Sequence, residues 1–382
     1  MTGDLRSHVA TRGEEIDALV PAWRSLAATS AGSPFESPDW LVPWWRHYGA
    51  GREPRVLTWW ADDELVGVAP LVLGRVRRGP FVARELDFWG ATATPLRGWV
   101  DVVAREDLRG RIADELAERV ARDRDWDLVN YLRLPAASPT VAALRARRAW
   151  WHIRLTGAVR SLSWVVDLPA DREEWRGYLG PKARHNIRRE LRSFEKRMAG
   201  RLDRVADPGA AGEIVAALRG LMTARWGAAE AYFRADPRFE AFAADALRST
   251  LAAGIADVLV ARDPDGIQAA LVCLRVNRRT TAVLIGMTSA EAYRPFSLGK
   301  VLFHRAIDDA VAAGSATFDF LAVGGYKESF WHARPEPLES GILARGAPPR
   351  ALAAYSGVRR VLLPRAVGRL QGRLGRRSRS SA

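Results

Sequence analysis

The sequence predicts an α/β (α+β) fold built in two halves. Helix and strand signals alternate along all 382 residues. Two stretches, RVLTWWADDELVGVAPLVL at 55–73 and DVLVARDPDGIQAALVCL at 257–274, share one plan: a β-rich run, an Asp-rich turn and a second β-rich run. Each is then followed by a helix and a strand.

Taken in order, the first half places a hairpin at 55–73. Asp107 is positioned to cap a helix on which Leu108, Ile112, Leu116 and Val120 recur every fourth residue. The strand Trp126–Leu132 follows. In the second half the hairpin at 257–274 continues through the turn at Asn277–Thr280 into a third strand, Thr281–Gly286. Ser297 can cap a helix carrying Leu298, Val301, Leu302, Ala306, Ala310 and Val311, and Ala316–Ala322 is the strand after it. Two architecturally repeated lobes are expected: residues 1–160, residues 161–343, and a basic tail at 344–382.

Between the halves, Ser161–Leu168 reads as a strand opening the second lobe. Asp171 caps a short helix, Gly180-Pro181 breaks it, and Pro181 suits the first turn of the next. That next helix has an apolar stripe of Ile187, Leu191, Phe194 and Met198, with Lys182, Arg184, His185, Arg188, Arg189, Arg192 and Lys196 around the rest. Such a face is either simply solvated or functional. In the functional reading Lys182, Arg184 and Asn186 face an inter-lobe cleft and hold a substrate.

The net charge of +14 does not by itself indicate nucleic acid. From Ser340 to the C-terminus the chain has arginine but no lysine, aspartate or glutamate, and the preceding residues are close to charge balance. Only Lys182, Lys196, Lys300 and Lys327 are lysine, a bias that weakens arginine content as evidence of phosphate binding. The tail interleaves Val, Leu and Arg; it reads as a frayed solvated end or as a segment suited to an anionic membrane surface. No specific nucleic-acid partner is expected. A single cysteine, Cys273, excludes an intrachain disulfide and a Cys-cluster metal site, and the histidines show no ligand spacing, so no metal is expected. The N-terminus lacks the apolar run of a secretory signal, and no apolar stretch reaches the ~18–20 residues of a membrane span. The expected location is cytoplasmic, with the tail able to touch the inner face of the membrane.

The chemistry concentrates in residues 281–332. A strand ending at Gly286 leads through Arg294 to a helix starting near Ser297, Leu298, Gly299 and Lys300. Free backbone amides, the positive end of the helix dipole, a glycine and two cations could cradle a pyrophosphate; a plain helix cap is the alternative. Asp319 lies in the strand FDFL, pointing away from Phe318 and Phe320, where an acid is costly unless paired or functional. GGYKESFW follows with Tyr326 and Lys327. The Tyr326 phenol is either a general acid at a leaving group or a boundary aromatic.

Three blocks carry a resemblance: LGPKARHNIRRELRSFEKR, FSLGKVLFHRAI and FDFLAVGGYKESFW, supported in the first half by FESPDW at 35–40, LVGVAPL at 65–71, and FWG at 88–90 followed by Asp101. From about Trp23 to about Leu343 the chain resembles the BioF2-like, CelD/BcsL type of acetyltransferase within the GNAT superfamily. It departs from that pattern at Leu298-Gly299, where Pro-Gly is common, and at Gly180-Pro181-Lys182, where Ser-Lys-Lys is common. The resemblance implies tandem GNAT-like lobes, the second holding acetyl-CoA or another acyl-CoA, with its pyrophosphate at Arg294 and Ser297–Lys300. It implies direct attack of an amine or hydroxyl on the thioester, with Tyr326 protonating the thiolate. Asp319 or a water would take the nucleophile's proton, or Asp319 would only orient Lys327. The family's link to polysaccharide production points to a saccharide or other small-molecule acceptor, for which Trp40 and Trp89 could be aromatic platforms. The alternatives are a Fem-like transferase using aminoacyl-tRNA and a non-catalytic GNAT-fold scaffold.

Overall fold

The computed structural model describes residues 5–78, 81–91, 98–146, 156–226, 233, 236–321 and 330–345. The first half runs β1 (Leu5–Ala10), α1 (Gly13–Thr29), a 3-10 turn (Pro34–Glu36), α2 (Pro38–Tyr48), β2 (Glu53–Ala61), β3 (Glu64–Arg78), β4 (Phe81–Phe88), β5 (Val103–Ala104), α3 (Arg109–Arg122), β6 (Leu128–Pro135), α4 (Pro139–Ala146) and β7 (Thr156–Asp167). Then come α5 (Arg172–Tyr178) and α6 (Pro181–Met198). The second half continues with β8 (Arg201–Val205), α7 (Ala211–Trp226), α8 (Arg238–Ala252), β9 (Ala256–Asp263), β10 (Gly266–Val276) and β11 (Arg279–Met287). A 3-10 turn (Glu291–Phe296), α9 (Leu298–Ala312), β12 (Thr317–Asp319) and β13 (Arg334–Ala344) complete it.

Both expected hairpins form. In each, a residue with positive φ turns the chain, Asp62 at 54° and Gly266 at 117°, and Asn277 at 50° turns β10 into β11; short polar side chains and glycine tolerate this region best. Asn277 also reaches the first half: its amide donates to the Thr29 and Ser30 carbonyls at 3.3 and 3.1 Å. Asp171 caps α5 as expected, accepting from the Glu173 and Glu174 amides at 2.8 Å. Two expected caps do not form. Asp107 lies in a 3-10 turn, and its carboxylate instead takes the Arg105 guanidinium at 2.8 Å. Ser297 holds the N-cap position of α9 with φ 45° and ψ 44°, and its hydroxyl makes no capping bond.

The strands form one mostly antiparallel sheet in the order β1-β2-β3-β4-β6-β13-β7-β12-β11-β10-β9-β8, with β5 on β3. The order reads as the same series from either end. The parallel pair β4/β6 matches the parallel pair β11/β12. At the middle, β13 from the end of the chain pairs with β6 of the first half, and β7 from the end of the first half pairs with β12 of the second. β13 and β7 then pair antiparallel with each other. The strand expected at Ser161–Leu168 thus does join the second half's sheet, as part of β7, and β13 crosses back to the first half's sheet in exchange.

Helix packing adds a second weld. Phe242 of α8 is fully buried, with its ring edge-on to Trp40 and Tyr48 of α2 at 5.2 and 5.5 Å. His47 Nε2 on α2 is 2.7 Å from the Asp245 carboxylate on α8. One buried cluster runs through the first half and on under α7 and α8. A second fills the space among α5, α6, α9 and the sheet, where Phe318 and Phe320 meet Phe303.

Because Phe242 belongs to this shared core, Phe242→Ala is expected to cost about 3–5 kcal/mol. Urea unfolding followed by fluorescence and circular dichroism should show both probes moving together to a lower midpoint; separate transitions would show that the halves unfold independently.

Candidate functional site

The parallel ladder of β11 and β12 pairs Arg279 with Thr317, Thr280 with Phe318 and Thr281 with Asp319. It ends there, while β11 runs on to Met287. Among the described residues, no strand pairs with that side of Ala282–Met287. The strand leads through the 3-10 turn to α9, whose start carries no side-chain cap. The amides of Lys300 and Val301 donate to the Ser297 carbonyl at 2.8 and 3.2 Å. Those of Leu298 and Gly299 precede the helix's own bonding. A parted strand pair thus opens beside an uncapped helix start.

Gly299 lets that helix close on the strand. A Cβ there would lie 2.6 Å from the Met287 methyl, so the space is filled by methionine. Arg294 is exposed and 3.2 Å from Glu291. Leu298 is buried in the α6–α9 core. Lys300 is turned to α6: its ammonium is 3.5 Å from Glu190 and 5.4 Å from the centre of the Phe330 ring. Arg294, Ser297, Leu298, Gly299 and Lys300 therefore surround one helix start, but two of the expected phosphate ligands already have protein partners.

Asp319 is 1% exposed and fully engaged. One oxygen accepts from Ser163 Oγ at 2.6 Å and the Leu321 amide at 2.7 Å; the other accepts from Arg279 at 2.6 Å. Arg279 also donates to Glu336 of β13 at 2.6 Å, and its guanidinium lies 5.6 Å from the centre of the Trp99 ring. Burial works against the charge on Arg279, but Asp319 and Glu336 outweigh it and hold the guanidinium protonated. Removing either acid would leave a part-buried cation short of charge, at a cost approaching the ~3–5 kcal/mol of a broken buried pair. With its lone pairs occupied, Asp319 ties β12 to β7 and β11. It can orient a neighbour more readily than it can accept an acceptor's proton. Tyr326 and Lys327 lie outside the described residues.

The substrate expectations at α6 and the tryptophans fare differently. Neighbouring contacts show α6 running antiparallel to α9. Phe194 lies 5.7 Å from Phe296, Glu190 reaches Lys300, and Arg188 acts electrostatically on His304. Lys182, Arg184 and Asn186 therefore belong to the end of α6 away from the helix mouth, about 12–18 Å along the axis from Phe194. Trp40 and Trp89 are a correction. Both are buried, Trp40 between Phe35 and Phe242 and Trp89 stacked on Trp45 at 4.9 Å. The Trp89 indole donates to the Leu71 carbonyl at 2.8 Å, leaving no open platform.

Sequence reasoning missed a buried acid pair in the first half. Glu36 and Asp101 are 2% and 0% exposed. Glu36 accepts from the Asp101 amide at 3.1 Å, and its carboxyl fits only because residue 32 is glycine, where a Cβ would lie 2.0 Å from Oε2. Asp101 accepts from Ser138 and the Val102 amide, with Arg109 3.7 Å away. Burial first, then the Asp101 charge, pushes the Glu36 carboxyl well above its usual range, against the opposing pull of Arg109. The motif FESPDW carried the signal, since it places an acid before a Ser-Pro helix start. Ser37 caps α2 through the Asp39 amide, and Asp39 pairs with Arg24 at 2.7 Å.

With this geometry in place, the family comparison is direct. Residues 181–328 match a family model described as an acetyltransferase (GNAT) domain. The match begins at the first residue of α6 and takes in the whole parted pair and the α9 start. The mirrored strand order gives the chain two similarly built halves, the second of which contains the matched segment. Among solved structures, one titled FemX aligns with a TM-score of 0.58 and 11% identity, covering 87% of this chain and 96% of its own. A conserved protein of unknown function from Bacteroides thetaiotaomicron aligns at 0.54 and 10% identity, covering 89% and 100%. At such identities the likeness is one of fold. No curated protein matches the chain. Among the described residues, no helix is long and apolar enough to cross a membrane, and no group of three or more His, Cys, Asp or Glu is placed to hold a metal.

The Glu36 carboxyl has a signed pH consequence. A carboxyl raised by folding contributes its full stability below about 4.5 and loses it as pH rises through the folded value. Glu36→Gln removes that loss. Its urea midpoint should exceed the wild-type value by a margin that widens from about pH 4 to about pH 8; a margin that narrows would mean the carboxylate is stabilised where it lies.

Proposed function

We propose that this protein is an acyl-CoA-dependent N- or O-acyltransferase of the CelD/BcsL type, acting on a saccharide or cell-envelope precursor. One observation carries the reading: inside the segment that matches a GNAT domain, β11 parts from β12 beside a helix start with no side-chain cap. The residues present fit an acyl-CoA in two respects. The unpaired edge of Ala282–Met287 offers backbone groups to an extended amide-containing arm, and the amides of Leu298 and Gly299 suit a phosphate. Arg294 is the exposed cation beside them. When bound, the co-substrate supplies an activated thioester.

The chain's residues then have separate tasks. Backbone amides of β11 are placed to stabilise negative charge on the carbonyl oxygen. The acceptor's amine or hydroxyl forms the new C–N or C–O bond as the C–S bond breaks. Its proton passes to water, and Tyr326 gives a proton to the departing sulfur. Asp319 holds Arg279 and the local backbone.

A panel of acyl-CoAs should raise the melting temperature, because a ligand at about 100 times its Kd adds about 2.7 kcal/mol to the native state. No shift across the panel at saturation would remove the co-substrate assignment. Tyr326→Phe should lower kcat by about 100-fold or more while leaving the acyl-CoA Kd unchanged; turnover at the wild-type rate would take Tyr326 out of the mechanism.

A further inference from the structure

On α6, residues Lys182, His185, Arg188, Arg189, Arg192 and Lys196 follow three- and four-residue steps and share one face of the helix. All six are exposed. The opposite face is buried or half-buried through Ile187, Leu191, Phe194 and Met198. Among the described residues, none of Lys182, Arg188, Arg189, Arg192 and Lys196 has a carboxylate within ion-pair distance, and Arg188 Nε meets only the Arg184 carbonyl. The result is a stripe of positive charge about 21 Å long, with one exposed acid, Glu195, at its edge. The rest of the chain before the tail is close to charge balance, so this density is local.

The stripe also lies beside the donor mouth. Glu190 and Phe194, on the inner side of the same helix, touch Lys300 and Phe296, the residues flanking Ser297. The Arg197 guanidinium lies 5.6 Å from the centre of the Phe296 ring. Anything docked along α6 is thus held next to the start of α9.

We propose that α6 is the docking surface for an acidic carrier protein, one that bears its acyl thioester on a phosphopantetheine arm. The proposal rests on the acyltransferase reading and names the source of the donor. The shared chemistry is a pantetheine thioester; the source committed to here is the protein-bound one. Two features favour it. The mouth's built recognition of a nucleotide is limited to the helix amides and the exposed Arg294, since Lys300 is turned to Glu190. The stripe gives an acidic helix a complementary line of charge. A lipid surface fits less well, because the helix turns its apolar residues inward and has none to insert. RNA fits less well because no aromatic side chain interrupts the stripe as a stacking platform.

The test measures binding of an acyl carrier protein whose acyl group is joined through an amide-linked, uncleavable pantetheine, alongside the same acyl group on CoA. The wild-type chain is compared with Arg188→Glu/Arg192→Glu/Lys196→Glu and with the milder triple glutamine variant, each checked for an unchanged melting curve. Charge reversal should weaken the carrier by about tenfold or more, with the glutamine variant intermediate, and should change the CoA Kd by less than about twofold. The proposal is overturned if the wild type does not bind the carrier, if the variants bind it equally well, or if tRNA or phosphatidylglycerol vesicles bind through these residues and the carrier does not. An acyl-CoA melting shift without carrier binding sinks the docking and leaves the acyltransferase reading standing. Carrier binding without any acyl transfer from either donor does the reverse.

Discussion

The structure depends on the exchange of two strands. β7 leaves the first half to pair with β12, and β13 returns from the second half to pair with β6. Each half needs the other to complete its sheet. The part-buried Arg279 sits at this junction and is held by acids from β12 and β13, with Trp99 of the first half beside it. A charge so enclosed is tolerated only while both acids and the ring stay in place. The divergence of β11 from β12 starts at Thr281, two residues from that arginine. The geometry of the candidate site is therefore set by the contact between lobes.

The elements legible in the sequence were those built from local patterning. The hairpins at 55–73 and 257–274 formed because period-two apolar runs flanked turn residues able to adopt positive φ. The α6 stripe formed because its apolar positions recur at helical spacing. Half of the exchange was legible: the strand at Ser161–Leu168 was expected to open the second lobe, and β7 pairs there with β12. The return of β13 to β6 was not legible, since pairing across such a sequence distance is decided by the whole sheet. Asp107 and Ser297 failed as caps for a related reason. A short polar side chain before a helix has competing partners, and Arg105 outbid the backbone at Asp107.

The site was legible in outline. The sequence located the strand, the helix start and a buried acid between two phenylalanines. It could not show that Asp319 would already be saturated by Ser163, Arg279 and the Leu321 amide, because two of those partners lie far away in the chain. Trp40 and Trp89 were ambiguous for the same physical reason: a tryptophan in a core and one in a sugar platform have the same local sequence. The aromatic ladder from Trp45 through Trp89 to Trp23 shows which applies here.

The exchanged strands also govern how this chain must be made. When the first half has left the ribosome, β6 has a partner on one side only. Its other edge waits for β13, which follows about 200 residues later in the chain. An open edge of that kind is adhesive to other strands, so the nascent first half carries a templating surface that only the arrival of β13 can cover.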